Sequence, residues 1–257
     1  MFKHIDKYIL LFFIMMSVFI YDTGNCQEAG SDPAYLFYKG NTHYEEGNYT
    51  EAIKAYDSLE QTGHESGNIY YNMGNSYFKI NEPGMAILYY ERALRLMPRD
   101  SDLNSNYNYA KSGLTFDISE HKVPLSRHFL NLFSFLSLNE LTLSVSFLLL
   151  AAAAAFLARM YIFAFRKRSL FLIFLVFILI LPLLYAITNR INLLNSEAVV
   201  ITEIAEARFE PFKSATSHYT LYRGMKVRII SEKKDWFKIK RDDNKLAWVM
   251  AHEIKRI

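Results

Sequence analysis

Among 257 residues there is one cysteine, Cys26. A lone thiol forms no internal disulfide, so a disulfide-stapled secreted scaffold is excluded. Cysteine-rich zinc sites and cysteine-ligated iron–sulfur clusters are excluded with it. The seven histidines (His4, His43, His64, His121, His128, His218 and His252) show no metal-ligand spacing. No phosphate-binding Walker loop, no GxGxxG after a strand and no GxSxG elbow occurs. The sequence therefore points to a protein that is not an enzyme and needs no cofactor or metal. Acidic side chains are missing altogether from Leu141 to Thr188, a stretch whose only charges are Arg159, Arg166, Lys167 and Arg168.

That gap exposes what the averages conceal. A net charge of +3 and a mean hydropathy of +0.02 look unremarkable. From Gln27 to Glu140, however, there are nine basic and fifteen acidic side chains, and from Asn189 to Ile257 fourteen basic and nine acidic. An acidic wing and a basic wing thus flank an apolar, purely cationic centre, as expected of a multi-domain membrane protein. Leu141 to Phe165 would extend about 37 Å as a helix and Leu170 to Thr188 about 28 Å, and each can cross a hydrocarbon core of about 30 Å. We therefore expect a two-helix transmembrane hairpin at 141–165 and 170–188. Its short 166–169 loop carries Arg166-Lys167-Arg168 and stays cytoplasmic, so both wings lie outside. Ser137 and Glu140 have the spacing of a capping box at the first span. Ala151 to Ala155 give that span a small, closely approachable face. Arg159 reads as a snorkelling side chain, with a buried functional charge as the alternative, and Pro182 is expected to kink the second span.

Lys3 and Lys7, an apolar run from Tyr8 to Tyr21, and small residues up to Cys26 describe a signal peptide over 1–26. An uncleaved anchor would give the same topology. Cys26 also raises lipidation, although Thr23-Gly24-Asn25 lacks the aliphatic residue usual three positions upstream.

The acidic wing repeats itself every 34 residues: Gly40 and Gly74, Asn41 and Asn75, Ala52 and Ala86, Tyr56 and Tyr90 are identical pairs. Gly74, Tyr77, Ala86, Tyr90, Ala93 and Pro98 fall where the tetratricopeptide repeat places them, and the segment resembles that family. The first copy is weaker, with His43, Leu59 and His64 at signature positions. Gly47-Asn48 and Pro83-Gly84 read as inter-helix turns, and Leu103 to Ser112 as a third first-helix or cap that closes the stack. An all-α repeat domain over 27–112 follows. The resemblance implies that the first helix of each pair lines a peptide groove, here Phe37, Asn41, Tyr44, Asn72, Asn75, Phe78 and Asn106. Carboxamides donate and accept together, which suits an extended peptide backbone. Simple capping and solvation of the helices is the competing reading. In relatives that clamp a C-terminal carboxylate, basic partners would stand at Phe37, Asp102 and Asn106, and none of these is basic.

Between 113 and 140 we expect a linker with an interfacial helix, because Phe129, Leu132, Phe133 and Leu136 recur at helical spacing before a span. The alternative is an extension of that span. After a second linker at 189–196, period-two alternation begins. Val227, Ile229, Phe237 and Ile239 should face inward, and Lys226, Arg228, Lys238 and Lys240 should face water. Ala207-Arg208-Phe209-Glu210-Pro211, Leu221 with Gly224, Trp236-Phe237-Lys238-Ile239 and Ala247-Trp248-Val249 resemble the bacterial SH3 domain. The resemblance implies a small all-β barrel over 197–257. Trp236 and Trp248 then either form a groove for peptide or peptidoglycan, or complete the barrel core.

Signal, repeats, hairpin and SH3-like barrel, in that order, resemble the tetratricopeptide proteins of the Bacteroides aerotolerance (Bat) operon. The resemblance implies a Gram-negative inner-membrane protein with both wings in the periplasm. Its partners would be von Willebrand A-domain membrane proteins and a MoxR-type ATPase, in an aerotolerance or envelope-stress complex. A nucleic-acid partner is not expected, since the basic stretches lie outside the cell. A scaffold is the leading reading. An envelope sensor would need more cytoplasmic surface than the short loop offers, and a cell-wall tether remains a third possibility.

Overall fold

A computed structural model describes residues 32–114, 132–162 and 166–257. The signal segment and most of the expected interfacial helix lie outside those residues. Five antiparallel helices form the first domain: α1 (Pro33–Glu45), α2 (Tyr49–Gln61), α3 (Gly67–Lys79), α4 (Pro83–Leu96) and α5 (Ser101–Ser112). Each first helix begins on an oxygen side chain that takes up an orphan amide. Asp32 accepts from the Ala34 amide at 3.0 Å, Ser66 from Ile69 at 3.2 Å and Asp100 from Leu103 at 2.8 Å. The α1–α2 turn uses Gly47 at φ +79°, as its sequence suggests. Pro83-Gly84 is different: Pro83 opens α4 at its first turn, where its missing N–H costs nothing, and the preceding turn rests on Asn81 at φ 61°.

The 34-residue glycines mark the tightest crossings. A Cβ on Gly74 would come within 2.6 Å of the Tyr90 ring, and one on Gly40 would collide with Tyr56. Tyr56, Tyr89, Tyr90, Leu59, Met73 and Leu88 fill the core between the pairs, all essentially solvent-free. Leu103 and Ala110 of α5 are buried against this core, so α5 closes the stack as expected.

Helices α6 (Leu138–Tyr161) and α7 (Arg166–Ser196) pack along one another, and both are long and apolar enough to cross a membrane. The Ser137–Glu140 capping box is present: the Ser137 amide donates to Glu140 at 2.8 Å and the Glu140 amide to Ser137 Oγ at 3.3 Å. Helix α7 runs through Pro182, and residues 189–196, expected as a linker, instead continue it up to the first strand. Residues 132–136 form a turn rather than helix.

Seven antiparallel strands follow: β1 (Glu197–Val200), β2 (Ile204–Arg208), β3 (Ser217–Tyr222), β4 (Lys226–Lys233), β5 (Trp236–Lys240), β6 (Leu246–Met250) and β7 (Ile254–Arg256). Their order in the sheet is β3-β2-β6-β5-β4-β1-β7. Among the described residues no pairing joins the two edge strands, so the sheet is not hydrogen-bonded into a closed ring. Val227, Ile229, Ile239, Ala247 and Val249 share the sheet core, with Phe237 packed against it, as the alternation predicts.

Gly74→Ala tests the close-packed crossing. Alanine gains about 1 kcal/mol of helix propensity, but overpacking against Tyr90 costs about 1–3 kcal/mol. Chemical denaturation of the full chain in detergent, followed by circular dichroism, should show a net loss of stability. An unchanged or raised midpoint would contradict the crossing.

Candidate binding surfaces

All seven groove residues named from the sequence lie on the first helices α1, α3 and α5. The asparagines do not stand alone. Asn41 Oδ1 accepts from the Tyr56 hydroxyl at 2.7 Å and from Asn72 Nδ2 at 3.0 Å. One repeat later, Asn75 Oδ1 accepts from the Tyr90 hydroxyl at 2.7 Å and from Asn106 Nδ2 at 3.0 Å. Asn106 also donates to the Tyr71 hydroxyl at 2.8 Å. The same module therefore recurs 34 residues on, tying each first helix to its own second helix and to the next repeat. Burial pushes the Tyr56 hydroxyl up to about 12 and raises Tyr90 as well, so both remain protonated donors at physiological pH.

Part of each carboxamide is thus taken up by bonds between helices rather than by capping. The remaining groove residues are aromatic and half-buried against the repeat core. Phe37 packs at a tilt against Tyr56 at 6.1 Å, and Tyr44 packs edgewise against Tyr49 at 5.3 Å and Phe78 against Tyr109 at 5.7 Å. Tyr38 and Tyr109, which the sequence reading passed over, are 69% and 70% exposed. The repeat itself points to both: Tyr38 aligns with Asn72 and Asn106, and Tyr109 with Asn41 and Asn75.

The two tryptophans share the face that the alternation assigns to Lys238 and Lys240. Trp236 stands opposite Met250 and Lys238 opposite Trp248, so both indoles lie on the sheet face turned away from the Ile239–Val249 core. Neither completes that core. Trp236 is nonetheless buried, while Trp248 is half-exposed with the Lys238 ammonium 5.9 Å from its ring.

A third surface was not foreseen. Lys226, expected to face water, donates to Glu91 of α4 at 2.9 Å and lies 3.6 Å from Glu197 of β1. Arg95 of α4 donates to Glu197 at 3.2 Å and to the Ile257 carbonyl at 2.7 Å. Arg92 spans Glu60 and the Arg256 carbonyl at 2.5 and 3.1 Å, and the Tyr107 hydroxyl donates to Glu91 at 2.7 Å. Around these charges Val199 and Ile257 join the apolar core of the repeats. Gly84 lets α4 approach closely, since a Cβ there would lie 3.0 Å from the Ile201 carbonyl. The junction therefore uses α4, with Tyr107 of α5, and leaves the named groove residues outside its bonds.

Family models match three stretches: a TPR repeat over 40–81, a tetratricopeptide repeat over 67–100 and a bacterial SH3 domain over 207–255. The chain carries TPR repeats and a bacterial SH3 domain. Both kinds of domain fit binding of protein or peptidoglycan. No curated protein matches this sequence.

Burial opposes the charge on Glu91, but Lys226 and the Tyr107 hydroxyl outweigh it and hold the carboxyl below its ordinary 4.5. Burial likewise opposes Lys226, and Glu91 with Glu197 carries it above its ordinary 10.5. The carboxyl contributes stability that is complete above its ordinary value and lost as pH falls through the lowered one. The ammonium contributes stability that is complete below its ordinary value and lost as pH rises through the raised one. Docking should therefore be flat from about pH 5 to 10 and weaken on both sides. Lys226→Met should cost about 1–3 kcal/mol, less than a fully buried pair because the lysine is 39% exposed. Denaturant midpoints of the full chain across this pH range check both statements.

Proposed function

We propose that the chain is a non-enzymatic, membrane-anchored scaffold whose repeat groove captures an extended segment of a partner protein. The duplicated asparagine–tyrosine module carries this reading. It holds carboxamides at a regular spacing along α1, α3 and α5 through bonds to the buried Tyr56 of α2 and Tyr90 of α4, while the SH3 domain occupies α4. Helices α6 and α7 supply the anchor, with the charged tip in the cytoplasm and both wings in the periplasm. The resemblance to the tetratricopeptide proteins of the Bat operon supports an inner-membrane complex with von Willebrand A-domain proteins, in aerotolerance or envelope stress.

Tyr38 and Tyr109 give the cleanest test, because their exposure separates binding from folding. Tyr38→Ala with Tyr109→Ala should lower recovery of A-domain partners from solubilised membranes by about tenfold, as expected for lost aromatic anchors. Recovery equal to that of the unaltered chain would defeat the scaffold reading.

A cell-wall tether is the second reading, favoured by the outward Trp248–Lys238 pair. It predicts that the full chain pellets with purified peptidoglycan and that Trp248→Ala abolishes pelleting. Pelleting that Trp248→Ala leaves unchanged would exclude that site.

A further inference from the structure

Beside the junction lies a cavity of about 240 Å³ that the scaffold reading leaves unused. Two carboxylates, Glu60 and Glu65, and two guanidiniums, Arg92 and Arg95, line it together with Tyr70. Leu96, Ile257 and Leu194 of α7 complete the lining with apolar surface. Its volume is below that of pockets for drug-sized ligands, which begin at about 300 Å³, and suits a small polar group.

Two independent marks place this cavity beside the membrane surface. Leu194 lies six residues beyond Thr188, the end of the apolar run, hence about 9 Å further along the helix axis. With a hydrocarbon core of about 30 Å and a full bilayer of about 40–45 Å, each headgroup layer is about 5–7.5 Å deep, so Leu194 stands just outside it. The second mark comes from the repeats. Leu96 stands three residues before Arg99, which forms an ion pair with Glu140 in the first turn of α6. Exposed Leu132 and Phe135 precede that turn, at the level where apolar side chains enter the interface. Arg190 fixes the segment to α7 by donating to the Phe133 and Ser134 carbonyls, both at 3.1 Å.

The lining charges select the ligand. Two cations and two anions cancel, so a bare phosphate meets the carboxylates and a bare amine meets the guanidiniums. A group carrying both charges satisfies both sets. Arg92 and Arg95 are held in place by Glu60, Glu197 and backbone carbonyls. Each guanidinium carries five N–H groups, and these bonds engage two of its nitrogens, leaving donors for a phosphate. Glu65 is exposed and able to accept from an ammonium. A primary ammonium donates three hydrogen bonds, whereas a quaternary one donates none.

We propose that this cavity holds the phosphoethanolamine headgroup of a membrane phospholipid, with the acyl chains passing Leu96 and Leu194 into the bilayer. The proposal rests on the reading of α6 and α7 as membrane spans.

Native mass spectrometry of the full chain in detergent, with equimolar phosphatidylethanolamine, phosphatidylglycerol and phosphatidylcholine of identical acyl chains, tests it. The phosphatidylethanolamine adduct should exceed each of the others by about threefold or more, the size of one ion pair at a partly exposed site. Leu194→Trp, which fills the cavity from its apolar side, should abolish that preference. Glu65→Gln should shift it toward phosphatidylglycerol, since the lining then carries a net positive charge. Equal retention of the three lipids, or a preference that survives both substitutions, would overturn the proposal. So would complete displacement of the lipid by free glycerophosphoethanolamine at the same concentration, which would mark a site for a soluble metabolite. Failure of the chain to fractionate with membranes would remove its premise. Partner recovery reports on the scaffold reading separately, because Leu194→Trp leaves Tyr38 and Tyr109 intact.

Discussion

The pairing of Glu91 with Lys226 fixes how the two wings of this protein meet. Taking a carboxylate out of water costs several kcal/mol unless a cation and further donors replace the lost solvent. Here Lys226 and the Tyr107 hydroxyl do so for Glu91, and Arg95 does so for Glu197. Two anions and two cations from α4, β1 and β4 close a balanced set. Such a cluster adds less net stability than an apolar contact of the same size, but it tolerates few alternative registers. A rotated SH3 domain would part Glu91 from Lys226 and Glu197 from Arg95. Val199 and Ile257 supply the apolar contact that the charges orient.

Docking in this register separates the surfaces. The second helix of the second repeat is taken up by the SH3 domain, while the named residues of α1 and α3 stay outside that contact. The unbroken run of α7 into β1 ties the SH3 domain to the end of one long apolar helix, and the Arg99–Glu140 pair ties the repeats to the start of the other. A flexible linker at 189–196 would have left the domains to find each other. The continuous helix instead delivers β1 directly to α4, and brings Leu194 into the charged cavity beside it.

The elements were legible in the sequence where one local rule governs them. The 34-residue period exposed the repeats because each glycine must admit the tyrosine sixteen residues later. The capping box and the two apolar runs placed α6 and α7, and strict alternation found the inward faces of β4 and β5. What escaped the sequence depends on distant partners. Lys226 alternates as a water-facing residue, and only the arrival of α4 makes it half of an ion pair. The tryptophans read as possible core residues because size and hydrophobicity do not reveal which sheet face is enclosed. The asparagines were recognised as a set, yet their bonds to Tyr56 and Tyr90 need the second helix in place. Residues 189–196 read as a linker, although α7 continues through them to Ser196.

The most direct measurement is the distance between the two wings in the full chain. With Cys26 replaced by serine, spin labels at Asn108→Cys on α5 and Ser231→Cys on β4, both exposed, report it by pulsed electron resonance. One narrow distance distribution at neutral pH, broadened when Lys226→Glu is added, is the predicted result. A broad distribution in the otherwise unaltered chain, or one that Lys226→Glu leaves narrow and unshifted, would contradict the account.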